Sequence, residues 1–250
     1  MTSNRRPKYE QIADALREAI QSGMYEPGDR LPSESEVMVT HGVARMTARR
    51  ALGELRSEGI ADARKGAGVF VRTFPRRPLR RQTPRRLSRE QWGSGRSVAA
   101  ADIEDRALDV DQVTVSEEVA PERIGAILNL GGEAVCVRRR RFVLDGKPVL
   151  LAASYLPMSV VAGSVILRKD TGPGGIYARL AELGHGPARF REEVCSRMPV
   201  KAETTVLHIP TGTPVILIRR TAFTGEGRPV EVNEMTLDAA SYVLEYDFDA

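Results

Sequence analysis

The sequence is poor in the residue types on which metal sites, disulfides and many catalytic centres depend. Its 250 residues include three histidines, two cysteines and one tryptophan. Cys136 and Cys195 are far apart and lack CxxC spacing, which favours reduced thiols over a disulfide or a zinc site. The histidines do not cluster, and neither a GxSxG nor an HExxH motif occurs. We therefore expect no metal ion, no cofactor and no enzymatic activity.

Long apolar runs are also missing. Hydrophobic residues make up 42% of the chain and charged residues 28%, and no segment approaches the roughly 20 apolar residues that a membrane span needs. The start MTSNRRPKYEQ lacks the apolar core of a signal peptide. These features predict a cytoplasmic protein that does not contact a membrane. A length of 250 residues predicts two domains.

Charge is distributed unevenly along the chain. Residues 1–97 contain 20 Lys and Arg against 11 Asp and Glu, whereas residues 98–250 contain 17 against 22. A basic amino-terminal part attracts a phosphate backbone, because neutralising phosphates releases counterions. A basic face is also often only a solvated surface, so the asymmetry needs support from motifs.

The densest basic stretch is PRRPLRRQTPRRLSRE, residues 75–90, with seven arginines and three prolines. Proline spacing prevents a continuous helix, and like charges extend the chain. We therefore predict a linker over residues 75–90 between a domain at residues 1–74 and a domain at residues 91–250. Alternatively, the arginines of this linker contact DNA on either side of the sequence that the amino-terminal domain binds.

The amino-terminal domain shows three helical signals followed by a basic hairpin. Apolar residues recur at helical spacing over residues 8–22 and again over residues 44–58. Between them, Ser33 and Glu36 form the pattern of a capping box that opens a short helix. Residues 60–72 predict a hairpin around the sequence RKGAG. This order of elements predicts a winged helix-turn-helix, whose second helix of the pair enters the major groove of DNA.

Three segments carry a resemblance to a known family: PGDRLPSESEV, GVARMTARRALGELRSEGI and RKGAGVFV. They resemble the DNA-binding domain of the GntR superfamily of bacterial transcription regulators. Ser35 and Ala44 depart from the family's usual arginine and serine or threonine, which leaves the preferred operator open. The Gly66-x-Gly68 pair is not followed by the Gly-Lys-Ser/Thr of a nucleotide loop. Arginine side chains can bind base edges, and backbone amides at a helix start can bind phosphates. The resemblance implies that the following residues contact DNA: Ser33, Arg45, Thr47, Arg49, Arg50, Lys65, Gly66 and Gly68.

The carboxy-terminal domain contains two similar hairpin patterns, RRFVLDGKPVLL and ILIRRTAFTGEGRPVEV. One helix is predicted between them, at about residues 176–183, and another before the first, at about residues 121–128. Strands and helices without βαβ alternation predict an α+β domain on an antiparallel sheet. This region resembles the UTRA effector domain of the HutC subgroup, which has a chorismate-lyase-like fold. The resemblance implies dimerisation and an effector-binding pocket near Arg140, Phe142, Ser154, Tyr155, Glu231 and Asn233.

Four residues of this domain depart from the family's polar pattern: Phe142, Ala152, Gly175 and Leu237. Losing polar partners disfavours a sugar phosphate and favours a more apolar ligand that Arg140 anchors through a carboxylate or carbonyl. Alternatively, Phe142 and Leu237 belong only to the core, and Arg140 forms a structural ion pair with Glu231.

Together these features predict a ligand-responsive transcription regulator. We expect a homodimeric repressor that a small-molecule effector releases from a palindromic operator. The alternatives are an effector-independent DNA-binding repressor, such as a plasmid maintenance protein, and a lyase-like enzyme.

Overall fold

The computed structural model describes residues 6–74, 78–83, 87–95, 98 and 108–247. The chain divides into two compact units. The first consists of Met1–Arg76 with Ile209–Thr213, and the second of Arg77–His208 with Pro214–Ala250. Among the described residues, no helix is long and apolar enough to cross a membrane.

The first unit is a helix-turn-helix followed by a hairpin. Its elements are α1 (Lys8–Gln21), α2 (Glu34–His41), α3 (Arg45–Ser57), β1 (Ala61–Arg64) and β2 (Gly68–Val71). The predicted capping box is present: Ser33 Oγ accepts from the Glu36 amide at 3.2 Å, and the Glu36 carboxylate accepts from the Ser33 amide at 2.6 Å. Helices α1 and α3 each begin and end within one residue of the limits predicted from the sequence.

Apolar residues at helical spacing form the core of this unit, as the periodicity predicted. Ile12 and Leu16 of α1 pack with Leu52 and Leu55 of α3, and all four are buried. An ion pair joins α1 to the residue that follows α3, where Arg17 Nη2 donates to a Glu58 carboxylate oxygen at 2.8 Å. The core therefore sets the position of α3, whose other side stays in solvent.

The second unit contains a six-stranded antiparallel sheet in the order β4-β5-β6-β9-β8-β7. Its strands are β4 (Leu108–Val119), β5 (Ala134–Leu144), β6 (Lys147–Pro157), β7 (Arg189–Arg197), β8 (Val215–Phe223) and β9 (Pro229–Asp238). Both predicted hairpins are confirmed, and they meet where β6 pairs with β9. Asp145 and Gly146 connect β5 to β6 with φ of 50° and 78°, as a tight two-residue turn requires. The predicted α+β class is also confirmed.

Helices cover parts of both faces of this sheet. They are α4 (Arg89–Gly93), α5 (Glu122–Leu128), α6 (Met158–Val161), α7 (Gly175–Glu182) and α8 (Lys201–Leu207). Trp92 of α4 and Tyr177 of α7 pack edge to face, with ring centroids 6.3 Å apart, above Leu156 of β6. On the opposite face, Ile124 of α5 packs against Tyr155. This arrangement follows the alternation of side chains along β6.

A strand lies where the sequence predicted a tether. Leu79–Thr83 forms β3 and pairs in parallel with β10 (Tyr242–Tyr246). Leu79 is 1% exposed and packs in the cluster that contains Phe142. The linker prediction is therefore wrong for residues 79–83, because burial and strand pairing hold the segment despite its charge. Of the seven arginines that the alternative assigns to flanking DNA, those at positions 76, 77, 85 and 86 lie outside the described residues.

The burial of β3 leads to a stability prediction. We expect Leu79→Ala to lower the free energy of unfolding of the second unit by about 2–5 kcal/mol, because it leaves a cavity in packed core. Arg80→Ala is the matched control, since Arg80 makes an exposed ion pair with Glu245 and should cost about 1 kcal/mol or less. Urea unfolding followed by the fluorescence of Trp92 measures both. A change below about 0.5 kcal/mol for Leu79→Ala would show that β3 is an undocked tether.

Candidate functional site

Arg45 and Arg49 lie on the exposed side of α3, one helical turn apart. Both donate to the carboxylate of Glu34, the first residue of α2. Arg45 Nε is 2.9 Å from Glu34 Oε2, and Arg49 Nε is 2.7 Å from Glu34 Oε1. Glu34 was not predicted from the sequence, because no local pattern connects it with residues 11 and 15 positions away.

The two arginines control the protonation of Glu34. Hydrogen bonds from Arg49 and then Arg45 lower the pKa of the Glu34 carboxyl to about 2. The carboxylate is therefore ionised at neutral pH. Two guanidinium groups share one carboxylate, so this surface of α3 retains positive charge. The arginine side chains remain 69% and 56% exposed, which leaves them accessible to a partner.

Three other residues predicted to bind DNA have different surroundings. The guanidinium of Arg50 lies 3.7 Å from the ring centroid of Tyr9, and its Nη2 donates to the Tyr9 hydroxyl at 2.8 Å. Arg50 thus packs on α1 instead of accompanying Arg45 and Arg49. Thr47 is half-buried on α3. The Ser33 amide, which the sequence analysis assigned to phosphate, already donates to Glu36.

The hairpin presents its turn to solvent. Lys65 and Gly66 are exposed between β1 and β2, and Gly66 has a φ of 76° that favours glycine. Gly68 has a φ of 117°, and a side chain there would bring its Cβ to 3.2 Å from Arg30 Nε. The Arg64 guanidinium lies 4.1 Å from the Phe70 ring centroid. The turn therefore combines exposed positive charge with a backbone that a ligand can approach closely.

A cavity of about 440 Å³ opens on the sheet face of the second unit beside the start of α7. Of the six residues predicted to bind an effector, four line it: Arg140, Phe142, Glu231 and Asn233. Its volume suits a small molecule. Glycines at the beginning of α7, among them Gly175, form part of the same wall.

Arg140 and Glu231 each have a separate hydrogen-bond partner. Arg140 Nη2 donates to Ser154 Oγ at 3.0 Å, and Glu231 Oε2 accepts from the Tyr177 hydroxyl at 2.7 Å. These bonds differ from the direct Arg140–Glu231 ion pair considered as an alternative. Burial lowers the pKa of Arg140 and raises the pKa of Tyr177. Tyr177 therefore stays protonated and can donate to Glu231 at neutral pH.

Two predicted pocket residues do not line the cavity. Tyr155 points to the opposite face of the sheet, where it packs with Ile124 and Val232. Its assignment to the cavity is wrong because successive residues of a strand face opposite sides. Its neighbour Ser154 is on the same face of the sheet as the cavity. Ser154 is fully buried and does not line the cavity, but its hydroxyl accepts a hydrogen bond from Arg140.

The residues that depart from the family's polar pattern have mixed roles. Phe142 packs in the core and also lines the cavity, with its ring centroid 5.6 Å from the Arg140 guanidinium. Ala152 lines the cavity as well, and both residues make that wall apolar. Leu237 is fully buried in the core, as the alternative interpretation held.

Further charged residues line the cavity that the sequence analysis did not single out: Arg81, Arg138, Lys169, Asp170 and Arg220. Arg138 donates to the carbonyl oxygens of Ile166, Arg168 and Lys169, and so holds the loop before α7. Alternation along β5 could have indicated Arg138, because it lies two residues from Arg140. No strand alternation could indicate Arg81, because it lies in the segment that was predicted to be a linker.

Comparison with known proteins agrees with this two-unit organisation. The family described as "Bacterial regulatory proteins, gntR family" matches this chain over residues 8–71, and the family described as "UTRA domain" matches it over residues 104–242. The HTH-type transcriptional regulator Rv0792c of Mycobacterium tuberculosis is 30% identical over 234 residues, which cover 90% of this chain and 80% of that protein. The histidine utilization repressor of Pseudomonas aeruginosa is 30% identical over 223 residues, covering 88% and 82%.

A solved structure extends the similarity to the fold of the whole chain. The crystal structure of a GntR-family transcriptional regulator matches with a TM-score of 0.66 and 25% identity, covering 98% of both chains. The amino-terminal match contains α1 to β2, and the carboxy-terminal match contains the six-stranded sheet and the residues that line its cavity other than Arg81 and Val98. This chain therefore belongs to the GntR family of bacterial transcription regulators, in the HutC-type group that carries a UTRA domain, and its family consists of regulators and not of enzymes.

Proposed function

We propose that the protein is a homodimeric repressor that binds a palindromic operator and releases it when a small effector fills the cavity of the UTRA domain. One observation carries the proposal: the same chain combines a winged helix-turn-helix with a ligand-sized cavity that contains buried polar groups. A 30% identical relative from Pseudomonas aeruginosa is a repressor. Operator DNA in bacteria is cytoplasmic, so the proposal includes a cytoplasmic location.

In this proposal, α3 contacts the base edges of the operator, and the hairpin contacts the phosphate backbone of the DNA. Arginine can form a bidentate contact with guanine O6 and N7, which suits exposed Arg49 and Arg45. Glu34 binds both guanidinium groups in the absence of DNA, and these charge-assisted bonds exchange for contacts with DNA. Lys65 contacts phosphate, with Gly66 and Gly68 allowing close approach. Arg50 supports the surface by packing on Tyr9.

The effector side of the proposal rests on the mixed chemistry of the cavity. Arg140 supplies a cationic anchor whose position Ser154 holds, while Phe142 and Ala152 supply an apolar wall. Asn233 Oδ1 is buried without a hydrogen-bond partner among the described residues, so it can accept from a ligand N–H or O–H group. An effector changes operator affinity only through unequal affinity for two arrangements of the protein, typically by about 1–3 kcal/mol.

Dimerisation gives the first functional prediction. One winged helix reads few base pairs, so useful specificity requires two half-sites and two subunits. We expect sedimentation equilibrium at micromolar concentration to give a dimer, and one dimer to bind each palindromic operator. A monomer that binds its operator with one-to-one stoichiometry would contradict this expectation.

The proposed DNA surface predicts different effects for two basic residues. Arg49→Ala should weaken specific operator binding by about 1–3 kcal/mol, because a bidentate base contact is lost. Lys65→Ala should weaken specific and random DNA about equally, because phosphate contacts carry no sequence information. Fluorescence anisotropy with both DNAs measures the effects. Equal losses on both DNAs for Arg49→Ala would assign Arg49 to phosphate, and no loss for either variant would remove the proposed surface.

The cavity predicts which variant should lose the effector response. A thermal-shift screen of metabolites identifies the effector, since a ligand bound only by the native state raises stability. Arg140→Ala should then abolish the effect of this ligand on operator binding while affinity without ligand stays near wild type. Arg141→Ala is the matched control, because Arg141 pairs with Asp111 on the solvent side. A wild-type titration by Arg140→Ala would exclude Arg140 from the site, and a full screen without a hit would favour an effector-independent repressor.

A further inference from the structure

Arg81 is a buried cation in the segment that precedes the UTRA sheet. It lies on β3, its side chain is 1% exposed, and it lines the same cavity as Arg140. A charged side chain is rarely buried to this degree unless it is paired or bound. Its neighbour Arg80 is instead exposed and pairs with Glu245 at the surface.

The contacts of Arg81 leave part of its hydrogen-bonding capacity unused. Nη2 donates to Glu192 Oε1 at 2.5 Å, and Nη1 lies 3.5 Å from the weak acceptor Met235 Sδ. Nε is buried and has no hydrogen-bond partner among the described residues. Arg220 Nη1 lies 3.7 Å from the same Glu192 oxygen, beyond hydrogen-bonding distance. Two buried guanidinium groups therefore lie near one carboxylate oxygen, and of these two only Arg81 is within hydrogen-bonding distance of it.

Among the described residues that line it, the cavity carries excess positive charge. These residues include five cations, Arg81, Arg138, Arg140, Lys169 and Arg220, against two carboxylates, Asp170 and Glu231. Glu192, which pairs with Arg81, adds a third carboxylate and does not restore neutrality. Charge in a poorly solvated cavity favours a ligand of opposite sign. Val113, Phe142 and Ile176 line the cavity too, so the ligand also needs an apolar body.

We propose that Arg81 is a ligand-binding residue, and that it completes a site for an organic anion with an apolar body. The anion accepts a hydrogen bond from the guanidinium group of Arg81, in place of Glu192 or beside it. Arg140, on the six-stranded sheet, binds the same anion. This inference rests on the proposed function, in which the cavity is the effector site. It extends that function to β3, which follows the winged helix-turn-helix in the chain.

A pair of dyes that differ in charge tests this proposal with the full-length protein. The first probe is 8-anilinonaphthalene-1-sulfonate, an aromatic anion, and the second is N-phenyl-1-naphthylamine, which lacks the sulfonate. Fluorescence titration gives the dissociation constant of each probe. Arg81→Gln should weaken binding of the anion about tenfold or more, because a charge-assisted contact is lost. Binding of the neutral probe should change by less than about twofold, because its contacts are apolar.

The matched control is Arg80→Ala, which removes an equal charge from the same strand outside the cavity and should leave both titrations unchanged. Equal weakening of both probes by Arg81→Gln, or no weakening of either, would overturn the proposal. So would wild-type protein that binds neither probe. Trp92 fluorescence during urea unfolding reports whether each variant is folded.

Glu192→Gln keeps the proposal testable if Arg81→Gln does not fold. Removing this carboxylate frees Arg81 for the ligand, so the anionic probe should bind several-fold more tightly and the neutral probe should not. Unchanged or weaker binding of the anion would show that the pair is only structural. Operator binding by wild-type protein without dye is measured separately. Its failure would refute the proposed function, whereas failure of the dye comparison would refute only the role of Arg81.

Discussion

Positive charge buried on one face of the six-stranded sheet is the constraint around which the second unit is built. Arg138 and Arg140 on β5, Arg220 on β8 and Arg81 on β3 meet at this face. Taking charges out of water is costly unless each finds hydrogen-bond partners. Arg138 satisfies this requirement with backbone carbonyls of the loop before α7, and so connects that loop to the sheet.

The same requirement ties β3 to the sheet. Arg81 reaches Glu192 of β7, while Leu79, two residues earlier, packs with Phe142 in the core. Alternation places both side chains on the inner side of β3. The burial of Leu79 and the ion pair of Arg81 thus add to the pairing of β3 with β10, while Arg80 between them is exposed and pairs with Glu245. A basic composition therefore did not prevent strand formation.

Two arginines share one carboxylate in both units, with different consequences. Arg45 and Arg49 share Glu34 on an exposed helix surface, where water and salt screen the charges. Arg81 and Arg220 approach Glu192 in the interior, where screening is weak. The exposed cluster suits a large polyanion, and the buried cluster suits a small molecule that fits the cavity.

Local rules were sufficient for α1, α2 and α3 and for the β5–β6 and β8–β9 hairpins. The Ser33–Glu36 capping box, the apolar spacing of α1 and α3, and the Asp145-Gly146 turn depend on residues close together in the chain, so their patterns are visible in the sequence. The GntR and UTRA motifs likewise indicated the family, and four of six expected pocket residues line the cavity.

Residues that act through distant partners could not be inferred in this way. Glu34 meets Arg45 and Arg49 only after α2 packs against α3, and Arg81 meets Glu192 only after β3 docks beside β10. Tyr155 was assigned to the wrong face because the motif around it specifies sequence position and not strand orientation. Periodicity within a segment sets its own secondary structure, whereas the pairing of charges depends on which segments pack together, and that depends on long-range contacts that no local pattern records.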